Sequence, residues 1–220
     1  MIQKNLKGFV GLAAGTFAVS LVAGAFAFTT IQSPATPDEH HGAKASWVST
    51  AQTVAEQALE ADVMVRVQAV DRAQPRHLWN PMPDAASRID GRSTFAFTDT
   101  QVEVLEVYHG DVQVGDRLWV LQTGGDLRTQ GGKLSRMELA ADPLYEVGDE
   151  MVLFLVNISG DPVHAVDREL FRTVNPAGRY QVDGGLAARG DELEKAAFVG
   201  LDALELEIQQ AVADRLALER

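Results

Sequence analysis

The chain has 220 residues, no cysteine and a formal net charge of -12. The absence of cysteine excludes disulfides, thiol nucleophiles, cysteine-ligated zinc and iron–sulfur clusters. A surface this negative repels phosphate backbones, so we expect no nucleic-acid partner. The hydrophobic fraction of 46% and the charged fraction of 23% are typical of a globular protein with one domain of ordinary size.

An uncharged apolar segment, residues 8–28, follows Lys4 and Lys7 near the N-terminus. The basic residues before it and the acidic residues after it predict a cytoplasmic N-terminus and an exported body. Two fates stay open for this segment. Small residues at 23–27 fit cleavage as a signal peptide, whereas 21 apolar residues also suffice to span a bilayer core of about 30 Å as an uncleaved anchor.

Residues 29–48 are rich in Pro, Ser, Thr and acidic residues, which predicts a flexible tether. His40 and His41 lie in it. We interpret them as solvated side chains, because no third metal ligand is near them in the sequence. We expect no metal site and no cofactor. Residues 49–220 then form the domain.

The start of the domain predicts a short helix and then a strand. Ser49 and Gln52 have capping-box spacing, which predicts a helix that begins at Ser49. Residues 61–71 alternate between apolar and polar side chains, the pattern of an amphipathic strand.

The middle of the domain predicts the main strands of a β-barrel. Residues 102–121 are two β-rich runs joined by Gly–Asp pairs, typical of a hairpin. In residues 95–108 the alternation shifts by one residue near Leu105, which predicts a β-bulge that bends the strand. Residues 150–157 form a continuous apolar run, which predicts a strand buried on both faces.

The C-terminal part predicts a helix that covers the barrel. The pattern is helical from Asp191 to the end, and Asp202 with Glu205 has the spacing of a capping box. One face of this helix must pack on the sheet, either to close the barrel or to cover an open edge. That face carries Leu204, Ile208, Ala211, Arg215 and Leu216.

Together the elements predict a mainly β fold with flanking helices. The prediction is an OB-like antiparallel barrel of five to six strands, with a short N-terminal helix and a C-terminal helix. Two long polar loops, residues 72–92 and 124–142, interrupt the strands. We interpret Gly124 and Gly125 as a turn in the second loop, because no helix with free amides follows them to cradle a phosphate.

The first loop carries a local excess of arginine in an acidic protein. Loops of this length commonly have a role of their own, and arginine with tryptophan is typical of contact surfaces. It either binds an acidic polymer or a protein partner, or is a solvated loop whose arginines balance acidic neighbours. The candidate ligand-binding residues are Arg72, Arg76, His77, Trp79 and Arg88.

Catalytic motifs are missing from the sequence. It has no Gly-x-Ser-x-Gly and no His-Glu-x-x-His, and most aspartates stand beside glycine, where turn formation explains them. We therefore expect a protein that is not an enzyme. Carboxylate pairs that meet only in space leave a hydrolase as an alternative.

The order of strands and turns resembles that of poorly characterised bacterial exported proteins. It is similar, more distantly, to the OB-type barrel of netrin modules and tissue metalloproteinase inhibitors. Those inhibitors act through an N-terminal cysteine, which this chain lacks, so no functional residue carries over. The matching stretches are residues 61–67, 102–110, 114–116, 124–125 and 145–155.

The sequence therefore predicts a non-enzymatic binding or scaffolding domain of the bacterial cell envelope. Its location is extracytoplasmic, either secreted or anchored to the outer face of the cytoplasmic membrane through residues 8–28. A protease inhibitor or regulator with a netrin-like fold is the main alternative.

Overall fold

The computed structural model describes residues 40–43, 49–80, 93–128, 134–139, 142–161, 164, 166–191 and 197–220. The predicted leader, residues 1–28, lies outside this set, and so does most of the predicted tether. Of that tether, His40–Ala43 form a strand. Among the described residues, no helix is both long and apolar enough to cross a membrane.

Within the described residues the chain forms eleven strands, two α-helices and a short 3-10 helix, Pro176–Gly178. The strands are β1 (His40–Ala43), β2 (Val63–Arg72), β3 (Arg76–Asn80), β4 (Ser93–His109), β5 (Arg117–Arg128), β6 (Leu134–Leu139), β7 (Glu150–Asn157), β8 (Phe171–Thr173), β9 (Arg179–Asp183), β10 (Leu186–Arg189) and β11 (Phe198–Gly200). The helices are α1 (Val54–Glu60) and α2 (Leu201–Leu218).

Five of the strands close into an OB-like barrel, which confirms the predicted fold. Strand β2 pairs with β4 and β7, β4 pairs with β5, and β8 joins β7 to β5. The closing pair, Val120 with Phe171, is parallel, whereas the other barrel pairs are antiparallel. The remaining strands extend the sheet beyond the barrel.

Strand β4 bends, as its sequence predicts. Its pairing with β2 shifts register three times, and one shift skips Leu105 between the pairs Arg66–Glu106 and Val67–Val104. An extra residue on one strand locally increases twist and bends it, which lets a 17-residue strand wrap around the barrel.

The barrel core is filled by alternate residues of the strands. Val65 and Val67 of β2 point inward, whereas Met64 points outward beneath the helices. Strand β7 is buried on both sides, as predicted: Leu153 and Leu155 face the barrel core, and Phe154 faces the helices.

Helix α1 begins four residues later than the sequence predicts. Thr53 is its N-cap, and its hydroxyl accepts from the Glu56 amide at 3.2 Å. The Glu56 carboxylate accepts from the amides of Gln52 and Thr53, which lowers its pKa. A carboxylate is a stronger acceptor than the amide of a glutamine at the same place, so the later capping box prevails. The prediction of a start at Ser49 is wrong.

Helix α2 begins at Leu201, directly after β11, so the predicted helix from Asp191 and the predicted cap at Asp202 are wrong. Leu201 is buried and its amide donates to the Gly185 carbonyl at 2.9 Å. Packing of this leucine at the first helical position outweighs the local capping signal. The predicted apolar stripe is confirmed at Leu204, Ile208 and Ala211, which are buried.

Helix α2 covers the outer face of the sheet beside α1, rather than closing the barrel. Arg215 fixes this arrangement, since its Nη1 donates to the carbonyls of Ala58 at 2.8 Å and Ala61 at 2.5 Å. Carbonyls at the C-terminus of a helix lack partners within the helix, so Arg215 caps α1 from a distant part of the chain.

Both predicted loops contain strands. Residues 76–80 of the first pair with β4 as β3, and the second contains the end of β5 and all of β6. Gly124 and Gly125 continue β5 with φ near +140°. A Cβ on Gly125 would lie 2.8 Å from both Pro75 Cβ and Thr98 Oγ1. These glycines therefore allow close packing within a strand, where the sequence alone predicts a turn.

Candidate functional site

The outer face of β4 and β5 gathers charged and aromatic side chains from four parts of the chain. Strand pairing sets Arg76 opposite Phe97 and Trp119 opposite Gln101, and alternation places these residues on the same face as Asp99. The connection between β7 and β8 adds His164 and Arg168. We call Arg76, Asp99, Trp119, His164 and Arg168 the Asp99 site.

Asp99 is the centre of this site, and its side chain has no exposed surface. Its Oδ1 accepts from Arg76 Nη2 at 2.8 Å, and its Oδ2 accepts from Arg168 Nη2. The two arginine side chains are 23% and 33% exposed, so each guanidinium reaches from the buried carboxylate towards solvent. Charge-assisted bonds of this kind are the strong ones in proteins.

Aromatic rings form the walls of the Asp99 site. The Arg168 guanidinium carbon lies 4.2 Å from the centroid of the Trp119 ring, in cation–π contact. The His164 ring meets Phe97 edge-on, with centroids 4.8 Å apart. Trp119 and Phe97 are both half-buried, so part of each ring faces solvent.

The electrostatics of the site leave surplus positive charge, because two guanidiniums share one carboxylate. Burial lowers the pKa of His164, and Arg76 and Arg172 lower it further, against the opposing effect of Asp161 and Asp99. The imidazole is therefore neutral at pH 7 and adds no charge.

Three buried nitrogens of the site make no hydrogen bond within the described residues: Nε of Arg76, Nε of Arg168 and Nδ1 of His164. A buried polar group without a partner costs about 1–3 kcal/mol. The contact between Arg168 and Asp99 is therefore less favourable than a bidentate pair with all donors used.

The predicted binding residues are only partly brought together. Arg76 belongs to the Asp99 site. Arg72 lies elsewhere. It lines a groove of about 310 Å³, and its Nη1 is 3.6 Å from Oε1 of Glu146. His77 and Trp79 lie on β3 with only their backbone described, and Arg88 lies outside the described residues.

Sequence reasoning missed Asp99, Trp119, His164 and Arg168. The sequence around Trp119 predicts only a strand. The sequence around Arg168 does not predict its role, because Arg168 contacts Asp99, which lies 69 residues away in the chain. Only the barrel topology, which places the β7–β8 connection against β4, brings them together.

A second group of buried polar side chains borders the barrel core. Asp142 and Arg179 are 3% exposed and lie 3.6 Å apart. Gln122 accepts from the Tyr145 amide at 2.9 Å, and the Tyr145 ring lies 4.6 Å from the Arg179 guanidinium carbon. We call Gln122, Asp142, Tyr145 and Arg179 the Asp142 cluster.

Burial dominates the chemistry of the Asp142 cluster. It raises the pKa of Asp142 to about 6 despite the nearby Arg179, and it raises the pKa of Tyr145 as well. Asp142 Oδ1, the Tyr145 hydroxyl and Arg179 Nε have no hydrogen-bond partner within the described residues. The cluster is enclosed, so a substrate has no direct access to it.

Metal binding finds no support in the part of the chain that the structure describes, where no three His, Asp or Glu side chains converge on a common point. No known family model matches the sequence, and no curated protein matches it either.

Proposed function

We propose that the protein is a non-enzymatic, extracytoplasmic binding domain of the bacterial cell envelope, and that a protein partner contacts the outer face of β4 and β5. The observation that supports this proposal is the partly exposed pair Trp119 and Arg168, in which the Arg168 guanidinium lies over the Trp119 ring and donates to the buried Asp99.

The position of the pair on the barrel supports the same proposal. OB-type barrels commonly bind their ligands on one face of the second and third barrel strands and on the neighbouring loops. In this chain those strands are β4 and β5, and the neighbouring segments supply Arg76 and Arg168. This argument is an analogy of fold, so the chemistry of the site must carry the function.

The composition of the face favours a protein as the partner. Tryptophan is among the residues that most often dominate the energetics of protein interfaces, when well-packed neighbours exclude water from it. Phe97 and His164 add two further rings, in contact with each other, to the same face. The strongly negative net charge argues against nucleic acid.

The test compares recovery of partners from envelope extract by the immobilised full-length protein and its variants. We expect Trp119→Ala to reduce recovery of a specific partner at least tenfold. Phe198→Ala removes an aromatic ring that is 55% exposed on β11, and it should leave recovery unchanged. Equal recovery by wild type and Trp119→Ala would rule out this face.

The exported location has a separate test, because it depends on the leader. Intact mass of the mature protein distinguishes cleavage near residues 23–27 from retention of an anchor. Protease accessibility of the domain in intact cells then reports its side of the membrane. A domain that is protected until the cytoplasmic membrane is broken open contradicts the proposed location.

A further inference from the structure

We propose that the Asp99 site receives an arginine side chain of the protein partner, and that Arg168 occupies this position when the partner is absent. The inference rests on the proposed function, since it names the chemistry that the β4–β5 face recognises.

The site has the chemistry of a binding site for a guanidinium group. Oδ1 of Asp99 is taken by Arg76, which strand pairing holds beside β4. Oδ2 of Asp99 and the face of Trp119 remain, and together they offer a carboxylate edge beside an aromatic plane. A planar guanidinium matches both at once, by a charge-assisted hydrogen bond and by stacking. Arg168 makes these two contacts.

Arg168 belongs to the connection between β7 and β8, which contacts β4 and β5 through Arg168 and His164. The ends of the β7–β8 connection are fastened to each other, since the Ile158 amide donates to the Leu170 carbonyl at 2.8 Å and the Leu170 amide to Ser159 Oγ at 3.0 Å. Between Ile158 and Leu170 no described residue is fully buried. A loop that is closed at its base, and whose described residues between the ends are all at least partly exposed, has the features of a segment that opens at low cost, and such loops are frequently functional.

The intramolecular contact is also imperfect. Arg168 donates to Asp99 through Nη2, while its buried Nε has no acceptor among the described residues. A guanidinium on a partner is not bound to the geometry of this connection, so it can improve on that contact. The net charge of -12 attracts a basic partner and raises its association rate.

An alternative interpretation of the same residues predicts the opposite effect of removing Arg168 on the affinity for the partner. If Arg168 and Arg76 instead recognised an acidic partner, loss of Arg168 would weaken binding. If Arg168 competes with an arginine of the partner, loss of Arg168 strengthens binding. The variant Arg168→Ala therefore separates the two.

The experiment uses the full-length protein with ¹⁵N-labelled tryptophan, and the indole signal of Trp119 is assigned with Trp119→Phe. The probes are the blocked tripeptides Ac-Gly-Arg-Gly-amide, Ac-Gly-Gln-Gly-amide and Ac-Gly-Glu-Gly-amide. We expect the arginine peptide to shift this signal, with a Kd at least tenfold lower for Arg168→Ala than for wild type. The glutamine and glutamate peptides should leave it in place.

Controls separate competition from charge and from misfolding. Arg172→Ala removes the same charge nearby without touching Asp99, so its affinity for the arginine peptide should equal that of wild type. Arg168→Gln keeps a donor for Asp99 and preserves the site if the alanine variant loses its dispersed spectrum; it should bind the arginine peptide more tightly than wild type.

Equal affinity of wild type, Arg168→Ala and Arg168→Gln for the arginine peptide overturns the inference, and so does tighter binding of the glutamate peptide by wild type. These failures differ from failure of the proposed function. If only the inference fails, Trp119→Ala still reduces recovery of the partner at least tenfold. If the proposed function fails, Trp119→Ala leaves recovery unchanged.

Discussion

Two buried carboxylates of the described part of the chain, Asp99 and Asp142, are both paired with arginine, yet their surroundings differ. Asp99 is on the outer face of the barrel, where each of its oxygens accepts from a guanidinium that reaches solvent. Asp142 borders the barrel core, where Arg179 is as buried as the carboxylate and one carboxylate oxygen has no donor among the described residues.

The two carboxylates differ in whether their arginine partner can be exchanged for another group. At Asp99 one arginine can leave while the other still neutralises the carboxylate, and solvent reaches the vacated space. At Asp142 the loss of the partner leaves an enclosed charge without compensation, which is among the most destabilising changes in a protein. The inner pair therefore belongs to the scaffold, whereas the outer pair fits the binding role that we propose for this face.

The largest effect that separates the two regions is expected from Arg179→Met. It leaves Asp142 buried without a counter-charge and removes one of the two donors to the Pro143 carbonyl, so unfolding in urea should show a loss of about 3–5 kcal/mol. Adding Asp142→Asn to this variant should restore much of the loss. Arg117→Met, at an arginine that is 59% exposed, should change stability by less than about 0.5 kcal/mol.

The corresponding change on the outer face, Arg168→Ala, should cost only about 1–2 kcal/mol in the same measurement, because Asp99 keeps Arg76 and water reaches the free oxygen. A loss as large as that of Arg179→Met would mean that the two regions are equivalent, and it would contradict an exchangeable outer pair.

The pH dependence of stability should report on the inner region. Burial raises the pKa of Asp142 from 3.8 to about 6, so the folded protein holds this proton more tightly than the unfolded chain does. The resulting stabilisation is complete below the unfolded pKa and is lost as the pH rises through the folded one. Between pH 7 and pH 5, wild type should gain roughly 1 kcal/mol relative to Asp142→Asn. Parallel stability profiles of the two proteins would contradict the assignment.

The smallest effect is expected at Tyr145. Its hydroxyl is buried and has no hydrogen-bond partner within the described residues. Tyr145→Phe therefore removes the free-energy cost of burying an unpaired hydroxyl and changes little else. Stability should stay the same or rise by up to about 1 kcal/mol. A clear loss would show that the hydroxyl has a partner, such as a buried water molecule.

Much of the barrel could be predicted from the sequence, because its signals are local. The alternation in residues 61–71, the phase shift near Leu105 and the apolar run of β7 each report the burial of adjacent side chains, and the structure confirms all three. Periodicity records which face of a strand is buried, whatever that face contacts.

The errors have a common physical cause, namely contacts between distant parts of the chain. Leu201 starts α2 because it is buried against the sheet, which no capping motif reveals. Gly125 continues a strand because Pro75 and Thr98 leave no space for a Cβ, a fact that only the folded chain contains. The Asp99 site is the extreme case, since its residues come from four segments and share no motif.

The bonds from Arg215 to the end of α1 have a consequence for the order in which the chain can mature. Helix α1 precedes its capping arginine by 154 to 157 residues, so it emerges early during synthesis, whereas its last carbonyls must wait for water or transient partners until the C-terminus arrives. A nascent or truncated chain that ends before residue 215 therefore lacks the hydrogen bonds from Arg215 to the carbonyls of Ala58 and Ala61. The domain is complete only when the C-terminal helix has been added.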